Sequence, residues 1–223
     1  AIQLVLEECW SAGIQEVCVI ISPGDERAFM AATHQQNGQV VFVTQEQPLG
    51  YAHALLLAKR FVDGAPFLHL VGDHLYLSDA DRTCAAQLLE VAENAGCTVS
   101  AVQATRENNL PYFGIVGGKP VLNQPRIYEV EDVREKPTPT LAEQQLVTPG
   151  LRSGHYLGFF GMHVLTDQVL SILEQLTTEE NSGTKTLSDA LSVLPSREKY
   201  LAFDTEFVRT NTFFPKLSFE QNL

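Results

Sequence analysis

Residues 40–73, VVFVTQEQPLGYAHALLLAKRFVDGAPFLHLVGD, decide the fold. Four consecutive apolar residues at 40–43 predict a buried strand. Residues 50–61 then carry apolar side chains at helical spacing, and residues 67–71 return as a strand that ends at Gly72-Asp73. A strand, a helix and a strand in this order predict one right-handed crossover unit with parallel strands.

The same alternation extends on both sides of this unit. The further predicted elements are a helix over residues 2–13, a strand over 17–21, a helix over 25–34, a helix from Asp79 or Asp81 to residue 96, and a strand over 98–102. Strand after strand with a helix between them predicts a doubly wound α/β core, in which a mostly parallel, Rossmann-like sheet carries helices on both faces.

The second half of the chain has a different character. Residues 114–118 and 127–133 predict extended segments, and an apolar, aromatic stretch over 156–165 precedes helices predicted over 169–176 and 187–194. Prolines and polar residues over 137–150 favour a mobile connection or lid. The chain has 223 residues and is 44% hydrophobic, which suffices for one domain over residues 1–223, with or without a small appendage.

Charge and composition exclude several classes of partner. A net charge of −12 with 15 Lys and Arg argues against a nucleic-acid surface, because binding phosphate backbones requires clustered cations. No apolar run approaches the roughly 20 residues that span a bilayer, so no membrane segment is expected. The four cysteines show no metal-ligand spacing, which favours reduced core thiols in a cytoplasmic protein.

Polar residues and glycines follow the predicted strands. Gln45, Gly50 and Gly72-Asp73 come at the carboxyl ends of strands, where the ligand crevice of such a sheet lies. Glu135 and Lys136 follow a later extended run and supply a carboxylate and a cation, as a phosphate-bearing substrate requires. Taken alone, Asp73 also fits a turn or helix cap, and Lys136 fits a solvated surface residue.

An ordered series of short motifs carries a family resemblance. The motifs are Gln45, Gly50-Tyr51-Ala52-His53-Ala54, Gly72-Asp73, Tyr112-Phe113-Gly114, Glu135-Lys136-Pro137 and residues 183–190. In this order they resemble the bacterial sugar-1-phosphate nucleotidylyltransferases, and among these the UTP–glucose-1-phosphate uridylyltransferases. The resemblance covers residues 1–194 and implies the fold of nucleotide-diphospho-sugar transferases.

The resemblance implies a role for each matched residue on the nucleotide. Gln45 would contact the pyrimidine base, and Gly50 and Gly72 would let the backbone approach the nucleotide without a side-chain clash. Asp73 would be a catalytic residue that binds Mg²⁺, a cation that prefers oxygen ligands. Asn211 stands where the family has a second metal-binding aspartate, and a neutral amide is a weaker ligand for Mg²⁺.

It implies a matching set of roles on the sugar phosphate. Gly114 and Glu135 would contact sugar hydroxyls, and Lys136 would be a catalytic residue that binds and orients the sugar phosphate. The implied substrates are UTP and glucose 1-phosphate, and the implied products are UDP-glucose and pyrophosphate. Family members also begin with a strand and a G-x-G-T-R loop that cradles the triphosphate, and the sequence from Ala1 onward corresponds to the helix after it.

Three alternatives stay open at this point. The chain could act on another sugar or nucleotide, it could be a binding homologue without turnover, or it could be a structural interaction protein on the same fold. A homo-oligomer is compatible with the sequence, which does not determine the oligomeric state.

Overall fold

The computed structural model describes residues 2–33, 38–72, 74–78, 80–178 and 185–205. The α-helices in these ranges are α1 (Ile2–Ser11), α2 (Glu26–Thr33), α3 (Tyr51–Leu57), α4 (Lys59–Val62), α5 (Cys84–Ala95), α6 (Pro139–Gln145), α7 (Asp167–Thr178) and α8 (Leu187–Val193). The strands are β1 (Glu16–Ile21), β2 (Gln39–Thr44), β3 (Phe67–Leu70), β4 (Thr98–Arg106), β5 (Gly114–Pro120), β6 (Ile127–Glu135), β7 (His155–Leu165) and β8 (Tyr200–Asp204). Two short 3₁₀ helices cover Glu107–Tyr112 and Leu194–Ser196.

The strands form two sheets. β1 and β2 pair in parallel as a two-stranded sheet, and the other strands form a six-stranded sheet in the order β3-β7-β4-β8-β6-β5. β5 also pairs with β7, so β7, β4, β8, β6 and β5 form a closed ring with β3 beside it. The fold is therefore mixed α/β.

The prediction of a mostly parallel sheet is wrong for the six-stranded sheet. Among the described strands of that sheet, β4 and β8 are the one parallel pair, and the other pairings are antiparallel. One reason is β7, which the sequence did not predict as a strand and which lies between β3 and β4; the other is β6, which is antiparallel to both β5 and β8. Because β7 is antiparallel to both neighbours, β3 and β4 still run in the same direction, as the predicted crossover through α5 requires.

Helices cover both faces of the six-stranded sheet. In β8, Tyr200 and Ala202 enter a cluster with residues of α3, α7 and α8, whereas Leu201 and Phe203 enter a cluster with residues of α5. Alternate residues of a strand point to opposite faces, so the two clusters are the two cores of the molecule. No helix in the described ranges combines the length and the apolar character needed to cross a membrane.

Local signals explain where α5 begins and ends. The Thr83 side chain accepts a hydrogen bond from the Ala86 backbone N–H and caps the helix, so α5 begins later than predicted. Gly96 ends it in a left-handed conformation with φ 62°. The start of α5 is also held by α1, because the Glu8 carboxylate accepts a hydrogen bond of 2.7 Å from the Ala85 N–H. Burial raises the pKa of the Glu8 carboxyl.

Residues 137–150, where the sequence favours a mobile connection, contain a helix packed on the core. Thr138 caps α6 by accepting from the Leu141 N–H, and Pro139 occupies the first turn. Ala142 and Leu146 are fully buried against a small cluster formed by Leu110, Ile115 and Tyr156. The segment is thus helical and partly buried, and its mobility stays a prediction.

Candidate functional site

The predicted sugar-binding residues meet at the end of the β5–β6 hairpin. Gly114, the first residue of β5, pairs in register with Glu135, the last residue of β6. The Ser188 hydroxyl of α8 donates a hydrogen bond of 2.6 Å to Glu135 Oε2. A capping box between Thr186 and Asp189 fixes the start of α8. One carboxylate oxygen therefore has a defined partner on a capped helix.

A side chain on Gly114 would clash with its neighbours in this arrangement. A Cβ atom on Gly114 would lie 2.6 Å from Phe159 Cδ2 and 3.0 Å from both Glu135 Oε2 and Ser188 Oγ. Phe159 is 8% exposed and belongs to the core cluster, so its ring has little freedom to move. The glycine predicted to contact the sugar is required by packing as well.

Lys136 has an unusual backbone conformation. Its φ is 45°, in the left-handed region that L side chains rarely adopt, and its backbone N–H donates 3.0 Å to the Phe113 carbonyl. The residue is exposed, and buried Pro137 follows it. Strained non-glycine residues of this kind concentrate at functional sites, which supports the predicted role of the Lys136 side chain.

The predicted base-binding residues form a loop that satisfies its own hydrogen bonds. The Gln45 side-chain amide donates 3.1 Å to the Gly50 carbonyl and lies 2.9 Å from His53 Nδ1. Gly50 precedes α3 with φ 96°, a conformation that favours glycine. The Gln45 side-chain amide is thus engaged within its own loop, and its contact with a base stays a prediction.

The turn after β3 is described up to Gly72 and again from His74. Asp73 lies outside the described residues, as does Asn211, so the structure places neither predicted metal ligand. A Cβ atom on Gly72 would meet no atom within 4 Å, whereas one on Gly161 of β7 would lie 2.4 Å from Val71 Cγ2 and 2.7 Å from His74 Nδ1. The turn is thus packed on Gly161, with open space at Gly72. In the described ranges, no group of three or more His, Cys, Asp or Glu side chains could hold a metal ion.

We call Gly114, Glu135, Lys136, Phe159 and Ser188 the sugar side, and Gln45, Gly50, Tyr51 and Gly72 the base side.

A row of aromatic side chains joins the two sides. Tyr51 Oη lies 2.7 Å from His69 Nε2, and the His69 and His163 rings are 5.6 Å apart. The His163 ring in turn lies 5.1 Å from the ring of Phe159, the residue that packs on Gly114. The base side and the sugar side are therefore connected through the sheet, and they lie in one region of the molecule.

Both histidines of this row are neutral at neutral pH. Burial lowers the pKa of His69 to about 4. The pKa of His163 lies well below its usual value because of burial and, secondly, the neighbouring His69. The Ser100 hydroxyl lies 2.6 Å from both His163 Nδ1 and Tyr200 Oη, which extends the polar row into the core.

The sequence missed four residues of this region. Phe159, Gly161 and His163 lie on β7, whose apolar run does not by itself distinguish a strand from a helix. Ser188 lies inside the quoted stretch 183–190, but its spacing gives no sign that it reaches Glu135, because that contact joins residues far apart in sequence.

Comparisons with known proteins identify the family and the fold of this chain. The family model described as nucleotidyl transferase matches residues 1–206. A UTP–glucose-1-phosphate uridylyltransferase of Staphylococcus epidermidis is 25% identical over 92% of this chain and 74% of its own length. Among solved structures, a UDP-glucose pyrophosphorylase complexed with UDP-glucose has a TM-score of 0.74 at 20% identity, covering 93% of this chain and 79% of that one. A UTP-bound enzyme of the same kind from Acinetobacter baumannii has a TM-score of 0.71 at 19% identity, covering 93% and 75%. These two structures share the fold of this chain.

Proposed function

The chain belongs to the nucleotidyl transferase family, and from this premise we propose that it transfers a uridylyl group from UTP to glucose 1-phosphate. The products would be UDP-glucose and pyrophosphate. The similarity to a uridylyltransferase over 92% of the chain supports this choice of substrates.

One observation carries the proposal: a carboxylate and a lysine stand next to each other at the end of β6, both held by the fold. Glu135 has Oε2 bound by Ser188, and Lys136 is held in a left-handed conformation. A carboxylate that accepts from sugar hydroxyls, beside an ammonium that binds a phosphate, is the pair of groups that a sugar 1-phosphate requires.

The reaction follows from positioning and charge. A phosphate oxygen of glucose 1-phosphate attacks the α-phosphorus of UTP, the bond from that phosphorus to the bridging oxygen breaks, and pyrophosphate leaves. Lys136 would bind and orient the attacking phosphate, and no nucleophile from the protein is required. The Gln45 amide and the Gly50 backbone would hold the base of UTP, after Gln45 releases the Gly50 carbonyl.

Mg²⁺ and its ligand Asp73 are part of the proposal. Asp73 follows Gly72 in the turn after β3, and a carboxylate is a ligand that Mg²⁺ prefers. Mg²⁺ there would reduce the charge repulsion between the phosphates. Asp73→Asn should weaken Mg²⁺-dependent nucleotide binding and leave the fold intact. Unchanged Mg²⁺ dependence in this variant would remove Asp73 from the site.

Lys136→Ala tests the sugar-phosphate contact. A charge-assisted hydrogen bond contributes about 1.5–3 kcal/mol, so the affinity for UDP-glucose in calorimetric titration should fall roughly ten- to a hundredfold. The matched control is Lys119→Ala, an exposed lysine of the same hairpin that pairs with Glu131, and it should change nothing. Equal affinities of wild type and Lys136→Ala would make Lys136 a surface residue.

A second candidate is a homologue that binds sugar nucleotides without turnover. The resemblance puts Asn211 where the family has a metal-binding aspartate, and an amide is a weaker ligand for Mg²⁺. Pyrophosphate release from a panel of nucleoside triphosphates and sugar 1-phosphates separates the candidates. Release with UTP and glucose 1-phosphate supports the proposal, release with another pair changes the substrate, and binding of UDP-glucose without any release favours the second candidate.

A cytoplasmic location also belongs to the proposal, supported by the unpaired state of all four cysteines. The homo-oligomer stays a prediction.

A further inference from the structure

We propose that Ser188 is a positioning residue for sugar recognition: it holds Glu135 so that the free carboxylate oxygen accepts from two adjacent hydroxyls of a hexopyranose. The inference rests on the proposed function and deepens it. Ser188 itself does not contact the sugar in this account.

The contact has the features of a strong, directed hydrogen bond. Ser188 is 8% exposed, whereas Glu135 is exposed, so a buried donor reaches out to a carboxylate at the surface. The 2.6 Å distance is typical of a hydroxyl that donates to an ionised carboxylate. Because a capping box fixes the start of α8, the donor has little freedom to follow a moving acceptor.

Because of this bond, the two carboxylate oxygens of Glu135 differ in their hydrogen bonding. Oε2 accepts from Ser188, while in the described part of the chain Oε1 accepts no hydrogen bond. A carboxylate oxygen has two acceptor positions, so Oε1 can accept from two neighbouring hydroxyls. A sugar with vicinal hydroxyls is a ligand that supplies two neighbouring donors.

The absence of a side chain on Gly114 leaves the space in which the Glu135 carboxylate lies. The Phe159 ring, Glu135 Oε2 and Ser188 Oγ all lie within 3.0 Å of the point where a Cβ on Gly114 would stand. Oε2 therefore already lies in the space that the missing Cβ of Gly114 leaves, next to the Phe159 ring, and the hydrogen bond from Ser188 holds it there. The hydroxyl thus contributes preorganisation of the acceptor.

The test is a cycle of calorimetric titrations with UDP-glucose and its 2-deoxy and 3-deoxy sugar analogues. Ser188→Ala should weaken UDP-glucose binding about five- to tenfold, and Ser188→Thr, which keeps the hydroxyl, should restore it to within about twofold. The loss caused by Ser188→Ala should disappear in a Glu135→Ala background, and it should shrink for the analogue that lacks the hydroxyl contacted by Glu135. The matched control is Ser192→Ala, which removes a hydroxyl of the same helix that bonds the Asp189 carbonyl.

Two outcomes would overturn the inference: unchanged UDP-glucose affinity in Ser188→Ala, or an equal loss with and without Glu135. If Ser188→Ala does not fold, Ser188→Cys, which keeps the volume with a weaker donor, enters the same cycle. If the wild-type chain does not bind UDP-glucose, the proposed function itself is contradicted. This outcome is seen before any variant is measured, so it can be told apart from a failure of the inference about Ser188.

Discussion

The sugar side and the base side differ in how much of their geometry exists before a ligand arrives. On the sugar side, Ser188 and Phe159 are both 8% exposed and hold Glu135 and Gly114 in place. On the base side, Tyr51 is 43% exposed, and Leu49, which precedes Gly50, is 60% exposed. The Gln45 amide there is engaged with Gly50 and His53.

This difference indicates which half of the ligand is expected to contribute more binding energy. A preformed acceptor loses little entropy when it binds, whereas the Gln45 amide, in its proposed role, would first have to exchange its internal hydrogen bonds for those of the base. The sugar phosphate half of the ligand should therefore contribute more affinity than the base.

The largest expected effect compares a glycine from each side. Gly114→Ala places a Cβ 2.6 Å from the Phe159 ring, and overpacking of this kind costs about 1–3 kcal/mol of unfolding free energy. Gly72→Ala meets no atom within 4 Å and should change stability by less than about 0.5 kcal/mol. Urea denaturation measures both. Equal stability of the two variants would mean that the side chains around Gly114 can move to accept a methyl group.

A second prediction concerns the histidines between the two sides. The unfolded chain protonates His69 near its usual pKa of 6.5, whereas the folded chain does so only at about 4. The unfolded state therefore binds more protons between these values, and stability should fall by roughly 1–3 kcal/mol as the pH drops from about 6.5 to 4.

Replacing the histidine tests the cause of this acid sensitivity. His69→Gln, measured by denaturation across that pH range, should reduce the slope without abolishing it, because the pKa of His163 is lowered as well. Tyr51→Phe, which keeps both imidazoles, should retain the full slope. The account of the row is wrong if His69→Gln keeps the full slope.

Lys136 allows stability and binding to be separated. Lys136→Gly removes the side chain from a left-handed residue and should raise the unfolding free energy by about 0.5–1 kcal/mol relative to Lys136→Ala, which keeps a Cβ there. Both variants should lose the same affinity for UDP-glucose. Identical thermal stability of the pair would show that the conformation of Lys136 stores no strain.

The smallest effect is expected at Gln45. Gln45→Ala would remove the proposed base contact together with the internal hydrogen bonds that compete with it, so UDP-glucose affinity should fall less than about tenfold. A calorimetric loss as large as that of Lys136→Ala would contradict the contrast between the two sides.

The motifs in the sequence picked out residues that the structure brings together, but not the residues that pack behind them. Gly114, Glu135 and Lys136 follow from short ordered motifs, and the structure brings them together through the register of one hairpin. The contacts of Ser188 and Phe159 join residues far apart in the chain, and such pairings leave no periodic signal in a single sequence.

The wrong prediction of a mostly parallel sheet has the same cause. The βαβ pattern of the first half correctly gives the direction of β3 and β4, but the strand between them comes from residues 155–165. An apolar run of that length fits a buried strand or a helix, and its partners are decided by tertiary packing.

Titration of the wild-type chain with UDP-glucose and with UDP tests the central claim most directly. The two ligands share the base and the diphosphate and differ in the sugar that the preformed side would bind. We expect UDP-glucose to bind at least about tenfold more tightly than UDP, a difference of about 1.4 kcal/mol. Equal affinities would contradict the account, because Glu135 and its support by Ser188 would then contribute nothing to recognition.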